Sequence, residues 1–328
     1  MSDILIYGAG AIGSFLGYLL AEVPADDGRK VRNVALLGRA GHIRTIRERG
    51  LQIDMTGQAL KKMLYFEHCF ASLEELDASN FAPKLVIVCV KTHALPALCQ
   101  ELLQSGLLQS RLKDATFILL MNGMGNRDVF RMLNLPASRV LEGIAIMGVR
   151  FAENGRIELK GMGKTVLEDE IKELEKRELT ERFVEKGFEI EFSKNFKEQQ
   201  YGKLFANAAI NPITALTCQK NSIVLSQALR NTVHGLISEA VKVAAKDDIM
   251  RDEEEVIKEV YSVAEKTRAN TSSMLQDVLN GKKTEIDAIN GYIIRQAKKH
   301  GIDAPVNEAL YELVKARTEN DASRSLPL

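Results

Sequence analysis

The 328-residue chain reads as an α/β protein. Residues 1–192 are expected to form a doubly wound, mostly parallel sheet, and residues 193–328 an all-α domain. Three observations predict this. Short apolar runs alternate with helix-like stretches through the first half, as in strand–helix–strand units. The first run stops at a glycine turn, Gly8-Ala9-Gly10-Ala11-Ile12-Gly13. After about Phe192 strand patterns vanish.

In chain order, Ile4–Tyr7 is the first strand, and a helix follows from Ser14 to about Val23. A long loop, 24–33, carries Pro24, Asp26, Asp27 and Gly28. Val34–Leu37 is the second strand. Leu51–Met55 and Lys62–Phe66 flank Thr56-Gly57-Gln58 and predict a hairpin. Leu85–Val90 is a continuous apolar run, as expected of a strand buried on both faces. Phe117–Met121 and Val140–Gly148 are further strands, and Gly155–Leu159 begins another. The charged stretch from Leu167 to Lys186 predicts an amphipathic helix with Ile171, Leu174, Leu179, Phe183 and Val184 turned inward. Helices are then expected over 196–210 and near 222–248, 252–279, 285–299 and 306–317. Thr284-Glu285-Ile286-Asp287 resembles a capping box for the 285–299 helix, with Gly301 closing it and Pro305 beyond.

Apolar residues make up 45% and charged residues 27%, ordinary for a globular protein. The 44 basic and 44 acidic residues cancel, which argues against a nucleic-acid footprint or a membrane-surface patch. No run has the length of a transmembrane helix, and the N-terminus lacks the order of a signal peptide, so a cytoplasmic location is expected. Cys69, Cys89, Cys99 and Cys218 form no CxxC and stand near no His cluster. Buried reduced thiols are expected, and no metal site.

The hexapeptide Gly8–Gly13 matches G-x-G-x-x-G between a strand and a helix, the context of a Rossmann-type dinucleotide site. Gly8 allows the tight turn, Gly10 lets a pyrophosphate approach the backbone, and Gly13 lets the helix pack closely. Ala9, Ala11 and Ile12 complete the turn, and the helix N-terminus offers N–H groups to a diphosphate. An NAD site wants a carboxylate after the second strand. Here Leu37-Gly38-Arg39 puts an arginine where it can fork onto a 2′-phosphate, so NADP (NADPH) is the expected cofactor. Lys91 ends the LVIVCV strand at the carboxyl edge of the sheet, as a second cation for the cofactor. Asn122-Gly123-Met124-Gly125 follows the next strand at the same edge, and Asn122 is placed to hydrogen-bond nicotinamide, ribose or substrate.

Lys203, Asn207 and Asn211 recur every four residues amid Leu204, Phe205, Ala206, Ala208, Ala209 and Ile210. On a helix they share one face. Pro212 biases Asn211 away from helical geometry, so Asn211 is expected at a broken helix end. The stripe is either a set of satisfied core amides or a substrate-facing wall with an acid. Reducing a ketone puts alkoxide character on oxygen, and a lysine ammonium can stabilise it and deliver the proton. Lys203 is the candidate acid. Glu285 and Asp287 are the candidate carboxylates to hold its proton. Asn270 and Ser273, three apart in a helical region, share a face, and either bind a carboxylate without adding charge or serve as a helix N-cap and local backbone partners.

Taken in order, GAGAIG, VKT, NGMG, KLFANAAINPITAL, NTSSMLQD and TEIDAINGYI make the chain similar to the ketopantoate reductase (2-dehydropantoate 2-reductase) family over nearly its whole length. The resemblance implies a Rossmann domain followed by a helical domain like the C-terminal domain of 6-phosphogluconate dehydrogenase. It implies NADPH-dependent reduction of 2-dehydropantoate to (R)-pantoate, on the route to pantothenate and coenzyme A. The family's proton donor falls on Lys203 and its substrate-binding asparagines on Asn207, Asn211 and Asn221. Its serine falls on Ser273, and its glutamate, near nicotinamide and substrate, on Glu285. Arg39, Lys91 and Asn122 match the remaining motif positions. Two stretches depart from the family pattern: Gly143–Val149 (GIAIMGV) lacks the usual threonine or histidine, and the loop 24–33 is long. A paralogue acting on another branched 2-oxo acid, or a non-catalytic NADPH-binding regulator, are the alternatives. The expected partners are a small-molecule 2-oxo acid and, as an assembly left open, a second copy in a homodimer. Neither nucleic acid nor membrane is expected.

Overall fold

The computed structural model describes residues 3–22, 30–55 and 61–323. The Thr56-Gly57-Gln58 turn and residues 24–29 of the long loop lie outside the described residues. The chain forms two compact units: one holds 3–121 and 126–196, the other 122–125 and the residues from Lys197 onward.

The first unit is an α/β sheet unit of the Rossmann type. Its strands are β1 (Ile4–Tyr7), β2 (Lys30–Leu37), β3 (Leu51–Met55), β4 (Lys61–Phe70), β5 (Leu85–Val88), β6 (Thr116–Leu119), β7 (Val140–Ala145), β8 (Gly148–Glu153), β9 (Arg156–Gly161), β10 (Thr165–Glu168) and β11 (Ile190–Ser193). They lie in the order β11-β10-β7-β6-β5-β1-β2-β4-β3-β9-β8. From β7 to β4 every neighbouring pair is parallel. β1 sits at the centre, with Leu5 and Ile6 fully buried, because both of its faces are covered. Successive crossovers leave β1 toward β2 on one side and β5 on the other. That reversal opens a crevice at the carboxyl ends of the strands.

The helix after β1, α1 (Ala11–Leu20), starts three residues earlier than its sequence pattern suggests. Gly10 is its N-cap, so the glycine turn runs straight into the first helical turn. The expected hairpin is present in its strands, since β3 and β4 pair antiparallel. The strand expected over 140–148 ends at Ala145, and Gly148 opens the next one. β8 and β9 form a hairpin across Asn154-Gly155, with Gly155 at φ +76°. β10 and β11 were not anticipated. Thr165–Leu167 pairs antiparallel with β7, and β11 closes the sheet edge, so the helix expected from Leu167 begins only at Glu173. In that helix, α6 (Glu173–Glu185), the inward face is Glu175, Leu179 and Phe183, spaced by four. Leu174 and Val184, expected inside, are each 65% exposed, because they lie off that stripe.

Among the described residues, the second unit packs six α-helices. They are α7 (Phe196–Thr217), α8 (Arg230–Ala245), α9 (Glu253–Lys266), α10 (Ser273–Leu279), α11 (Asn290–Lys299) and α12 (Pro305–Ser323). (The other helices described in the first unit are α2 (Ala40–Arg49), α3 (Leu73–Asp77), α4 (Leu95–Ser105) and α5 (Asn126–Phe130).) Tyr201, Leu204, Phe205 and Ala208 of α7 pack in one core with Val233, Leu236, Ile237, Val260 and Ile293. Three expectations are corrected. The 222–248 stretch opens with two 3₁₀ turns before α8 begins. The 252–279 stretch is two helices, because Ser272 caps α10 by accepting from the Leu275 N–H at 3.1 Å. No helix spans 285–299: Ile286–Ala288 is a 3₁₀ turn, and α11 starts at Asn290. The Ala288 carbonyl accepts instead from the Met124 N–H at 2.9 Å.

Candidate active site

In the first unit, the glycine turn sits at the end of β1 with Gly8 at φ +104°. The Gly8 and Ala9 N–H groups both donate to Leu37 O at 2.9 Å, which ties the turn to β2. A Cβ at Gly13 would stand 2.2 Å from Gly8 O, so that position admits only glycine. A Cβ at Gly10 would meet nothing within 4 Å. The start of α1 has no side-chain cap and no acidic residue in its first turn. An open approach to a helix N-terminus with free partial positive charge fits a dinucleotide diphosphate. Gly38 follows β2 and lies close to Ala9, and Arg39 next to it is exposed. The Arg39 guanidinium lies 5.3 Å from the Phe151 ring centroid, a cation–π contact that steadies a cation beside the turn. Lys91 is half-buried just past β5 and leads a 3₁₀ turn, Thr92–Ala94.

In the second unit, residues 122–125 are held against the turn before α11. Gly123 adopts φ +72°, and a Cβ there would lie 2.1 Å from Ala288 O. This close approach sets the Asn122 carboxamide. Its Nδ2 donates to Glu285 Oε2 at 2.9 Å, and its Oδ1 accepts from Lys203 Nζ at 3.0 Å. An ammonium can only donate and a carboxylate only accept, so these two partners fix which way the amide faces. Glu285 is buried. Burial pushes the Lys203 ammonium down to about 8, and the Glu285 carboxylate opposes that shift. The result is a half-buried lysine poised to give up a proton near neutral pH.

Lys203, Asn207 and Asn211 do share the helix α7, but the helix does not break at Asn211. It runs through Pro212 to Thr217, so Asn211 sits in a regular turn and is buried. Asn207 is half-buried. Asn221 is buried at the start of a 3₁₀ turn. Its Nδ2 donates to Thr267 Oγ1 at 2.9 Å, while its buried Oδ1 has no partner among the described residues. Asn270 and Ser273 do not share a helix face. Asn270 lies in the linker before α10, Ser273 is its first residue, and both are exposed. The buried hydroxyl is Ser272, 2.6 Å from Thr214 Oγ1 of α7. Asp287, the other candidate carboxylate, faces away from this cluster's lysine: it accepts from Tyr311 Oη at 2.7 Å and pairs with Lys315.

Family models described as ketopantoate reductase PanE/ApbA and its C-terminal domain match residues 4–170 and 195–318. The chain belongs to the ketopantoate reductase family. A 2-dehydropantoate 2-reductase of Pyrococcus horikoshii is 33% identical over 96% of this chain and 97% of its own. One of Archaeoglobus fulgidus is 29% identical over 95% and 96%. Among solved structures, D-mandelate dehydrogenase with NADH and anilino(oxo)acetate superposes with TM-score 0.82 at 28% identity, covering 98% of this chain and 99% of that one. Solved chains similar to this one thus include a dehydrogenase in complex with NADH. No helix among the described residues is long and apolar enough to cross a membrane.

Two features of this family member escaped the sequence reading. His42 is buried, with Nε2 3.0 Å from Ser14 Oγ of α1 and Nδ1 accepting from the Gly155 N–H at 2.8 Å. Burial, with the nearby Arg39 charge, lowers its pKa to about 4, so it stays neutral. Its ring also lies 4.9 Å from Phe151, the residue under Arg39. The Asn154-Gly155 dipeptide was the available signal for the hairpin that carries these contacts. The second feature is a buried asparagine, Asn290, on α11. Of the cysteines, Cys69 and Cys99 are buried, but Cys218 is exposed, its Sγ 2.8 Å from Arg317 Nη2.

Proposed function

We propose that this chain reduces 2-dehydropantoate to (R)-pantoate with NADPH, and that Lys203 delivers the proton. The observation that carries the reading is the Lys203–Asn122–Glu285 bridge, in which a depressed lysine is hydrogen-bonded through a single carboxamide to a buried carboxylate. When bound, the nicotinamide supplies the hydride. Lys203 hydrogen-bonds the ketone oxygen, stabilises its alkoxide character and gives up a proton. The Glu285 charge keeps Lys203 protonated at neutral pH, and Glu285 borders nicotinamide and substrate. Asn122 orients both groups and contacts cofactor or substrate. Asn207, Asn211, Asn221, Asn270 and Ser273 hold the hydroxyls and carboxylate of the substrate. Gly8 to Gly13 cradle the diphosphate, Arg39 takes the 2′-phosphate, and Lys91 adds a second cation. A homodimer in the cytoplasm is the setting attached to this reading.

A second reading has its own support. The 28% identical D-mandelate dehydrogenase, solved with NADH, belongs to a different substrate and cofactor pairing. A paralogue would keep the Lys203 acid and change the pocket. Initial rates with 2-dehydropantoate and several other 2-oxo acids, each with NADPH and NADH, separate the two. Fastest turnover of 2-dehydropantoate with NADPH is expected. Lys203→Ala should lower kcat by on the order of 10²–10⁴ while NADPH still binds. Turnover unchanged in that variant would remove Lys203 from the chemistry, and an inert wild-type protein would favour a regulator.

A further inference from the structure

Pro212 lies inside α7, and a proline has no N–H for the carbonyl four residues back, which belongs to Ala208. That carbonyl is nevertheless satisfied, because Asn290 Nδ2 donates to it at 3.0 Å. Asn290 is fully buried and is the first residue of α11. Its second amide hydrogen goes to Asn307 Oδ1, also at 3.0 Å. Asn307 Nδ2 donates onward to Glu239 Oε2 at 2.7 Å and to Leu236 O at 3.2 Å. Glu239 in turn accepts the Val306 and Asn307 N–H groups at 2.9 Å, in the first turn of α12. A buried polar chain therefore links α7, α11, α12 and α8.

We infer that Asn290 is a positioning residue for the Lys203 acid: its side chain replaces the N–H that Pro212 lacks and locks α7 to the segment that carries Glu285. The placement is reciprocal. Ala208 lies five residues past Lys203 on α7, and Asn290 lies two residues past the 3₁₀ turn that begins just after Glu285. One hydrogen bond thus joins the two elements that hold the ends of the Lys203–Asn122–Glu285 bridge. Without it the buried Ala208 carbonyl loses its donor, and the helix has reason to open between Lys203 and Asn211. The inference rests on Lys203 being the proton donor.

The test uses the full chain. Asn290→Leu keeps the γ-branched shape, with a somewhat larger side chain, and removes both donors. It is expected to lower kcat by about 10- to 100-fold, as for a misplacement on the order of 1 Å. It should also move the alkaline limb of the kcat/KM profile to lower pH, because Glu285 no longer supports the lysine, and leave NADPH affinity unchanged. Adding Pro212→Ala restores a backbone donor at residue 212 and should recover most of the kcat loss and the pH limb. Backbone hydrogen exchange at 209–213 should speed up in Asn290→Leu and slow again in the double variant. If Asn290→Leu does not fold, Asn290→Ser, too short to reach the carbonyl, is compared with and without Pro212→Ala. Absence of recovery by Pro212→Ala in either background overturns the inference, as does unchanged exchange at 209–213. An active Lys203→Ala protein overturns the proton-donor reading instead, and the exchange data still decide whether Asn290 replaces the missing donor.

Discussion

Glu285→Gln is the substitution that most directly probes the proposed acid. Glutamine keeps the shape of the side chain, and its Oε1 can still accept from Asn122 Nδ2, as Glu285 Oε2 does at 2.9 Å. Only the charge is removed. In the wild type, burial drives Lys203 down to about 8, and the Glu285 carboxylate is the influence that raises it. An opposite charge within 4–6 Å shifts a pKa by about 1–3 units. Losing it should therefore carry Lys203 further down from about 8. The acid must be protonated to work, so activity falls as pH rises through the lysine pKa. The wild-type kcat/KM profile should bend down near pH 8, and the Glu285→Gln profile should bend one or more units lower. The assay is NADPH absorbance loss with 2-dehydropantoate across pH, and kcat/KM is the right quantity because it reports the free enzyme. The position of the limb carries the information, since a direct contact of Glu285 with substrate would change the height of the profile and not that position. Superimposable limbs, or a limb displaced upward, would refute the electrostatic coupling.

Other expectations follow from the same structure. Gly10→Ala should leave thermal stability within about 0.5 kcal/mol, because its Cβ meets nothing, yet weaken dinucleotide binding by about tenfold or more. Gly13→Ala should instead destabilise the fold by about 1–3 kcal/mol or more, since its Cβ would lie 2.2 Å from Gly8 O; calorimetry with and without cofactor distinguishes the two. Arg39→Ala should weaken NADPH by about 10- to 100-fold and NADH little, and Phe151→Ala should give a smaller loss in the same direction. Bound-NADPH fluorescence reads this cleanly, because the chain has no tryptophan. Equal loss for both cofactors would count against a 2′-phosphate contact. His42 is neutral in the fold, and its pKa is lowered from 6.5 to about 4, so the unfolded chain takes up its proton first as pH falls. Its contribution is complete above about 6.5 and lost on the way down to about 4, on the order of 3 kcal/mol. Denaturant titrations of His42→Gln should lack that part of the acid destabilisation, and an identical pH dependence would contradict it.

How much could be read in advance depended on whether the deciding contact was local. Leu85–Val88 is continuously apolar because both faces of the parallel sheet are covered, and it was legible as such. β10 and β11 were not, because four-residue segments beside a charged helix gain their strand character only from pairing with β7 and with each other. The helix over 285–299 followed correct capping logic and failed, because Met124 claims the Ala288 carbonyl. Asn270 and Ser273 read as one helix face from their spacing of three, but the Ser272 cap starts α10 between them and leaves Asn270 outside the helix.

Lys203 and Asn122 stood out by residue type and spacing, and Glu285 by motif, but their hydrogen-bonded contact joins residues 81 and 163 positions apart, so only tertiary packing could make it. By itself the sequence determined the strand–glycine turn–helix unit, the polar stripe on α7 and the family, because these depend on steric freedom, helical period and residue order. The fold decided that Pro212 would not end its helix. Its missing N–H is an obligatory vacancy in the local ladder, and a donor from Asn290, 82 residues away from the Ala208 carbonyl, fills it.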